Sequence, residues 1–235
     1  MVNTAVRLTA DQSLAWAILH VRFVPLQFKI LYSAVALIKM TLPKEVIIEA
    51  LRCCRDVYPN EDDFLVSRKC AGHTILAVEG TNETSDWVTN LKFLIKRDDC
   101  HRGFQNNANR TLAQLVLGYE ALDPKRKLVF AGHSLGGATA TLLADLMLPH
   151  NDNIAIVTAG SPRPGGRRLK GRLKDVEHYR FVHGNDIVPK TPPLLAGFVH
   201  THPVIKLEDA NDTRFDGVAD HNMGDYYDAA VKYYS

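Results

Sequence analysis

A chain of 235 residues, 46% hydrophobic and 23% charged, is long enough to bury one core of α/β size and too short to suggest several domains. Its 28 basic and 26 acidic residues leave a formal charge of +2, which argues against nucleic acid as a partner. Four cysteines without a Cys-x-x-Cys pair exclude a disulfide scaffold and a structural zinc ribbon. Cys53 and Cys54 are adjacent and make poor partners, while a Cys70–Cys100 bridge fits the count but is not dictated by spacing.

Segment 1–40 is apolar-rich and is read apart from a single α/β domain over 41–235. Its stretch 14–38 is broken by His20, Arg22, Pro25 and Lys29, so no run approaches the ~18 apolar residues of a spanning helix. Ala34-Val35-Ala36 has the form of a leader cleavage site, but Asp11, Arg22 and Lys29 depart from a secretory leader. The segment is therefore expected to form one or two helices lying on the core or on lipid, and it fixes no compartment.

Pro43-Lys44-Glu45 starts a helix that carries Val46, Ile47, Ala50, Leu51 and Val57 at near-helical spacing. Residues 74–78 (TILAV) read as a buried strand, ending at the polar turn Glu79-Gly80-Thr81-Asn82. A helical segment at 112–122 precedes a second strand, 127–131, which runs into a glycine-rich turn and a helix of small residues through Leu148. A third strand, 154–158, ends in Ala159-Gly160-Ser161-Pro162, and a fourth, 178–182, ends in Gly184-Asn185-Asp186. This alternation predicts an α/β fold with a mostly parallel central sheet, helices on both faces and a polar site at the strands' carboxyl ends. Arg163, Arg167, Arg168, Lys170, Arg172 and Lys174 cluster within this stretch. They read first as a solvated face, and second as a phosphate or membrane-surface patch.

Gly132-His133-Ser134-Leu135-Gly136 has the Gly-x-Ser-x-Gly pattern of a nucleophile elbow. A serine on a strained strand-to-helix turn projects its hydroxyl, and the glycines remove side chains that would clash there. The helix beginning beneath it presents free N–H groups to a developing negative charge. A serine hydroxyl also needs a base oriented by an acid, in the chain order Ser, Asp or Glu, then His. Asp186 lies just past a strand, whereas Asp175, Asp209 and Asp216 read as surface acids. His200, His202 and His221 are the candidate bases after it, and His221 sits in a loop before a terminal helix, which suits a base. His200-Thr201-His202 alone is weak evidence for a metal pair, and no HExxH motif occurs.

With these residues in place, the chain resembles the class 3 lipase family, the α/β-hydrolases typified by filamentous-fungal triacylglycerol lipases. The resemblance rests on ordered blocks: Gly80-Thr81 with Trp87 six residues on, HRGF at 101–104, GHSLGGATATLLA at 132–144, TAGSPRPG at 158–165, GNDIVPKTPP at 184–193 and DHNMGDYY at 220–227. It implies Ser134 as nucleophile, Asp186 as acid, His221 as base and an oxyanion hole from the Thr81 and Leu135 N–H groups. It also implies a helical lid over about 82–100, whose Trp87, Val88, Leu91 and Leu94 would touch a lipid interface when open. A fixed helix packed on the core is the competing reading of that segment. Glu79 departs from the arginine usual in the family at this point, and 1–40 matches nothing in it.

The expected activity is cleavage of lipid esters, as a triacylglycerol lipase, without metal or organic cofactor. A phospholipase A1 and a soluble short-chain or feruloyl esterase share the chemistry; a catalytically inactive lipid-binding module shares only the fold.

Overall fold

Strands covered by helices on both sides must be apolar on both faces, and the runs of branched residues in this chain meet that demand. The computed structural model describes residues 42–58, 65–80, 96–97, 99–117, 125–208 and 217–235. Segment 1–40, Thr81 and the lid residues Trp87, Val88, Leu91 and Leu94 lie outside them.

In chain order the elements are α1 (Lys44–Asp56), β1 (Leu65–Cys70), β2 (His73–Val78), β3 (Lys96–Arg97), β4 (Cys100–His101), α2 (Arg102–Leu117), β5 (Lys127–His133) and α3 (Leu135–Met147). They continue with β6 (Ile154–Ala159), α4 (Arg167–Arg172), β7 (Glu177–His183), β8 (Ile205–Leu207) and α5 (Met223–Tyr234). Six strands form one sheet in the order β1-β2-β5-β6-β7-β8, with β1 antiparallel to β2 and every other pair parallel.

The pleat splits each strand between two cores. Leu76, Phe130 and Ile156 are register neighbours and face Phe104 and Ala108 of α2 and Leu143 of α3. One residue earlier on each strand, Ile75, Val129 and Ala155 face Val46, Ile47 and Leu51 of α1 and Tyr226 and Ala230 of α5. In the buried helix α3, the Thr139 and Thr141 hydroxyls donate to the Leu135 and Gly137 carbonyls at 3.1 and 2.8 Å, so no polar group is stranded there.

The four expected strands form, extended by one or two residues. The helix expected at 112–122 instead begins at Arg102, and Phe104, Ala108, Thr111 and Leu115 mark its buried stripe. Strands β1 and β8 were not expected, because an edge strand with a half-exposed, polar sequence lacks the continuous apolar signal. The end of the segment expected as a lid helix is different: Lys96 and Arg97 pair with His101 and Cys100 in a two-residue ladder. Asp99 stands in its turn at φ 68°, where a hairpin turn takes an aspartate or glycine. All four cysteines are free thiols, so Cys70 on β1 and Cys100 on β4 are not bridged.

At the sheet's amino edge, Glu177 collects the Leu42 N–H at 2.7 Å, the Lys127 ammonium at 2.7 Å and the Tyr179 hydroxyl at 2.6 Å. Burial alone would raise this carboxyl; the three donors outweigh it and hold it below its ordinary 4.5. A depressed carboxyl stabilises the fold above its unfolded value, and the contribution disappears as pH falls through the folded one. Glu177→Gln should therefore lower the melting temperature at neutral pH, with the gap to wild type closing below about pH 4.5. Melting curves from about pH 7 to about pH 3 test this, and a gap independent of pH would refute it.

Candidate active site

Strand β5 delivers Ser134 to the carboxyl edge of the sheet, between β2 and β6. Ser134 adopts φ 57°, ψ −130°, a backbone conformation that costs a non-glycine residue ~1–3 kcal/mol. Close packing enforces it. A side chain on Gly132 would strike the Gly136 carbonyl, and one on Gly136 would strike the Val78 carbonyl. The Ser134 N–H donates to Ala159 O at 3.0 Å, which ties the turn to the end of β6. Ser134 is 1% exposed and its Oγ has no hydrogen-bond partner among the described residues.

Strand β7 ends in the turn that carries Asp186, which is fully buried. Its Oδ2 accepts from His221 Nδ1 and from the Tyr226 hydroxyl, both at 2.7 Å, and its Oδ1 accepts from the Val188 N–H at 2.9 Å. The loop holding His221 is clamped to this turn. Asn185 N–H donates to Asp220 Oδ2 at 2.5 Å, and Ile187 N–H donates to Gly217 O at 3.0 Å. Burial, reinforced by the Asp186 charge, pushes the Tyr226 phenol far above its usual range, so it remains a donor.

With Nδ1 committed to Asp186, His221 keeps Nε2 buried and without a partner among the described residues. Its ring rests on Gly160, which sits at φ 58°; a Cβ there would come within 2.9 Å of the imidazole and 3.0 Å of Asp186 Oδ2. The ring also packs against His133, with centroids 4.5 Å apart. Burial and the neighbouring His221 push His133 well below the usual histidine range, and the Tyr58 hydroxyl lies 2.5 Å from its Nδ1. A neutral imidazole therefore backs His221.

On the neighbouring strand, Val78 pairs with Gly132, and a Cβ on Gly80 would lie 2.8 Å from the His133 carbonyl. The end of β2 thus runs alongside the elbow, one residue short of Thr81. Leu135, the other expected oxyanion donor, is the first residue of α3. At Glu79, where the family's arginine would stand, burial raises the carboxyl.

The other candidates sit elsewhere. His200 Nε2 is bonded to Pro189 O at 2.7 Å, and burial pushes it down to about 3. The His202 ring packs on His178, whose nitrogens bond Thr158 and Thr201. Among the described residues no cluster of three or more His, Cys, Asp or Glu could hold a metal. The Asp175 side chain is 88% exposed, and Asp209 and Asp216 lie outside the described residues. In the basic cluster, Arg163 donates to the Lys190 and Pro192 carbonyls and Arg172 clamps Asp145 through two 2.7 Å bonds, while Arg167, Arg168 and Lys170 are exposed. Sequence reasoning missed Tyr226 and Asp220. The first had a signal, since a tyrosine on a helix face aimed at the core needs a partner for its hydroxyl.

A mostly parallel sheet with a serine on the strand–helix turn of a central strand is the architecture of the α/β-hydrolases. A family model described as lipase (class 3) matches residues 75–196, over half of the chain, and the chain belongs to that family. The secreted mono- and diacylglycerol lipase 1 of Fusarium solani is 32% identical over 140 residues, covering 55% of this chain and 42% of that protein. A lipase of Rhizomucor miehei is 31% identical over 157 residues, covering 60% of this chain and 43% of that one. The matches thus span under half the length of these two relatives. A mono- and diacylglycerol lipase structure from Aspergillus oryzae shares the fold, with a TM-score of 0.62 at 20% identity over 81% of this chain and all of that one.

Tyr226→Phe keeps the ring and removes one donor from a buried carboxylate. It should cost about 1–3 kcal/mol in urea denaturation, a penalty typical of a lost hydrogen bond to a charged group. Unchanged stability would show that Asp186 does not depend on the phenol.

Proposed function

We propose that this protein is a serine carboxylic-ester hydrolase acting on acylglycerols, with Ser134 as nucleophile, His221 as base and Asp186 as orienting acid. The reading is carried by the 2.7 Å bond from His221 Nδ1 to a fully buried Asp186, which leaves Nε2 as the nitrogen able to take the serine proton. Ser134 Oγ attacks the ester carbonyl while Nε2 accepts its proton, and Asp186 stabilises the imidazolium that forms. The alcohol leaves with that proton. Water, deprotonated by His221, then attacks the acyl-enzyme, releasing the fatty acid and restoring Ser134.

The tetrahedral oxyanion is assigned to the N–H groups of Leu135 and Thr81, where loss of one donor typically costs about 10²–10³ in turnover. The course of β2 beside the elbow supports Thr81, and the helix start at Leu135 supports the second donor. Relatives named for mono- and diacylglycerol support a glyceride substrate. Within segment 82–100, the part before the Lys96–His101 ladder is assigned as a lid, with Trp87, Val88, Leu91 and Leu94 its lipid-facing residues, and 1–40 as a segment apart from the 41–235 catalytic domain. No metal enters the scheme.

Hydrolysis of p-nitrophenyl esters from C2 to C16 tests the proposal, with wild type compared to Ser134→Ala. Wild type should favour acyl chains of about C8 and longer, and Ser134→Ala should lose about 10⁴-fold or more in kcat. Full activity in the variant would overturn the nucleophile. A preference for C2–C4 would replace the lipase with a soluble esterase.

Gly160→Ala should also depress kcat, because its methyl group would displace His221 from Asp186 and the residue must keep φ 58°. Wild-type turnover in this variant would show that the imidazole has room to shift.

A further inference from the structure

The chain leaving the Asp186 turn makes a short 3-10 turn, Leu194–Ala196, after Pro192 and Pro193. Leu194 is 61% exposed and Leu195 102%, so the second side chain stands wholly in solvent. Two adjacent leucines so displayed need an account, because single scattered ones are ordinary but a paired apolar tip is not.

The tip is built outward. On its amino side the Arg163 guanidinium holds the Lys190 and Pro192 carbonyls. On its carboxyl side Gly197 turns at φ 78°, Phe198 is fully buried, and the Val199 N–H donates to Gly165 O at 2.7 Å. Within the turn, Ala196 N–H donates to Pro193 O at 3.0 Å and Gly197 N–H to Leu194 O at 2.8 Å. Both ends of the turn are thus fixed to the body of the protein, while Leu195 stands clear of it and Leu194 is more than half exposed.

The rim is basic. Arg167 and Arg168 line one cavity with Leu194, Gly197 and Val199. Lys170 is exposed in the same short helix and Lys190 just before the tip. Asp99, the acid in that cavity, spends its carboxylate on the Arg168 and Leu169 N–H groups at 2.8 and 3.2 Å. No carboxylate among the described residues forms an ion pair with Arg167, Arg168 or Lys170.

From this juxtaposition we propose that the Leu194–Leu195 tip and its rim of Arg167, Arg168, Lys170 and Lys190 dock the protein on an anionic lipid surface. Leucines enter the boundary between headgroups and acyl chains, while arginine and lysine heads stay at the level of the phosphates. A protruding pair of side chains is too small for a stable protein interface, which needs ~1,000 Å² or more, and its basic rim would repel a second copy. The tip lies on the loop that leaves the carboxyl end of β7, so docking through it turns that edge of the sheet, where Ser134 also sits, toward the lipid. Docking of this kind needs no turnover at Ser134.

The test is sedimentation of the full chain, carrying Ser134→Ala to prevent turnover, with phosphatidylcholine vesicles containing or lacking about 30% phosphatidylglycerol. The chain should bind the anionic vesicles and bind the neutral ones at least ~10-fold more weakly. Adding Leu194→Asp with Leu195→Asp should lower the partition at least ~10-fold, with the melting temperature unchanged because both sites are exposed. Arg167→Gln and Arg168→Gln should each cost about 5-fold on anionic vesicles and little on neutral ones. Equal binding after the leucine substitutions would assign lipid contact to another part of the chain and overturn the proposal, as would a parent chain that binds neither vesicle. Dimerisation that the same substitutions abolish would make the tip a protein interface instead. Failure of ester turnover with vesicle binding intact would fall on the proposed function alone.

Discussion

A carboxylate with no access to water is stable only if donors replace the water it has lost, and Asp186 is such a carboxylate. Its three donors come from three places: the next turn of its own loop, the 217–222 loop and the first turn of α5. Satisfying one charge therefore fixes the end of β7, the loop that carries His221 and the helix that closes the chain. The same demand fixes the histidine's orientation, because the nitrogen that meets the carboxylate is Nδ1 and only Nε2 is left without a partner among the described residues. Tyr226 stands with one face in the core beneath the sheet and its hydroxyl in the polar site, so the hydrophobic core and the site share a residue.

The opposite half of the site is governed by steric exclusion rather than charge. Gly132, Gly136 and Gly160 mark places where the first turn of α3, the end of β2 and the imidazole itself, respectively, occupy the space a Cβ would need. The strain of Ser134 is tolerated because β2 and β6 hold the turn from both sides through Val78, Gly80 and Ala159. Fold and site are thus two views of one packing problem: a buried parallel sheet whose central strand must end in a serine.

How much of this could be read beforehand follows from the range of each signal. The strands at 74–78, 127–131, 154–158 and 178–182 announce themselves because both faces are buried and every residue is constrained. Ser134 was visible for the same reason, since its glycines are local requirements. Asp186 and His221 are 35 residues apart, and their meeting depends on the turn chemistry at Gly184 and Asp220, which no periodicity encodes. Edge strand β1 escaped notice because one side of it meets water, and the start of α2 because a glycine and several amides dilute its apolar stripe. The two exposed leucines carried no sequence signal at all, since Pro-Pro-Leu-Leu reads equally as a buried loop.

The same half-exposed edge strand has a consequence for behaviour in a crowd. A protein gathered on a surface meets its neighbours at far higher local concentration than in bulk, and open sheet edges then become templates for chain-to-chain pairing. Here the outer strand carries Arg68 and Lys69, with Arg68 held at 2.7 Å by Glu49 of the overlying helix, and the opposite strand, β8, is three residues long with Lys206 at its middle. Among the described residues, charge on one margin and brevity on the other leave an arriving strand little to pair with.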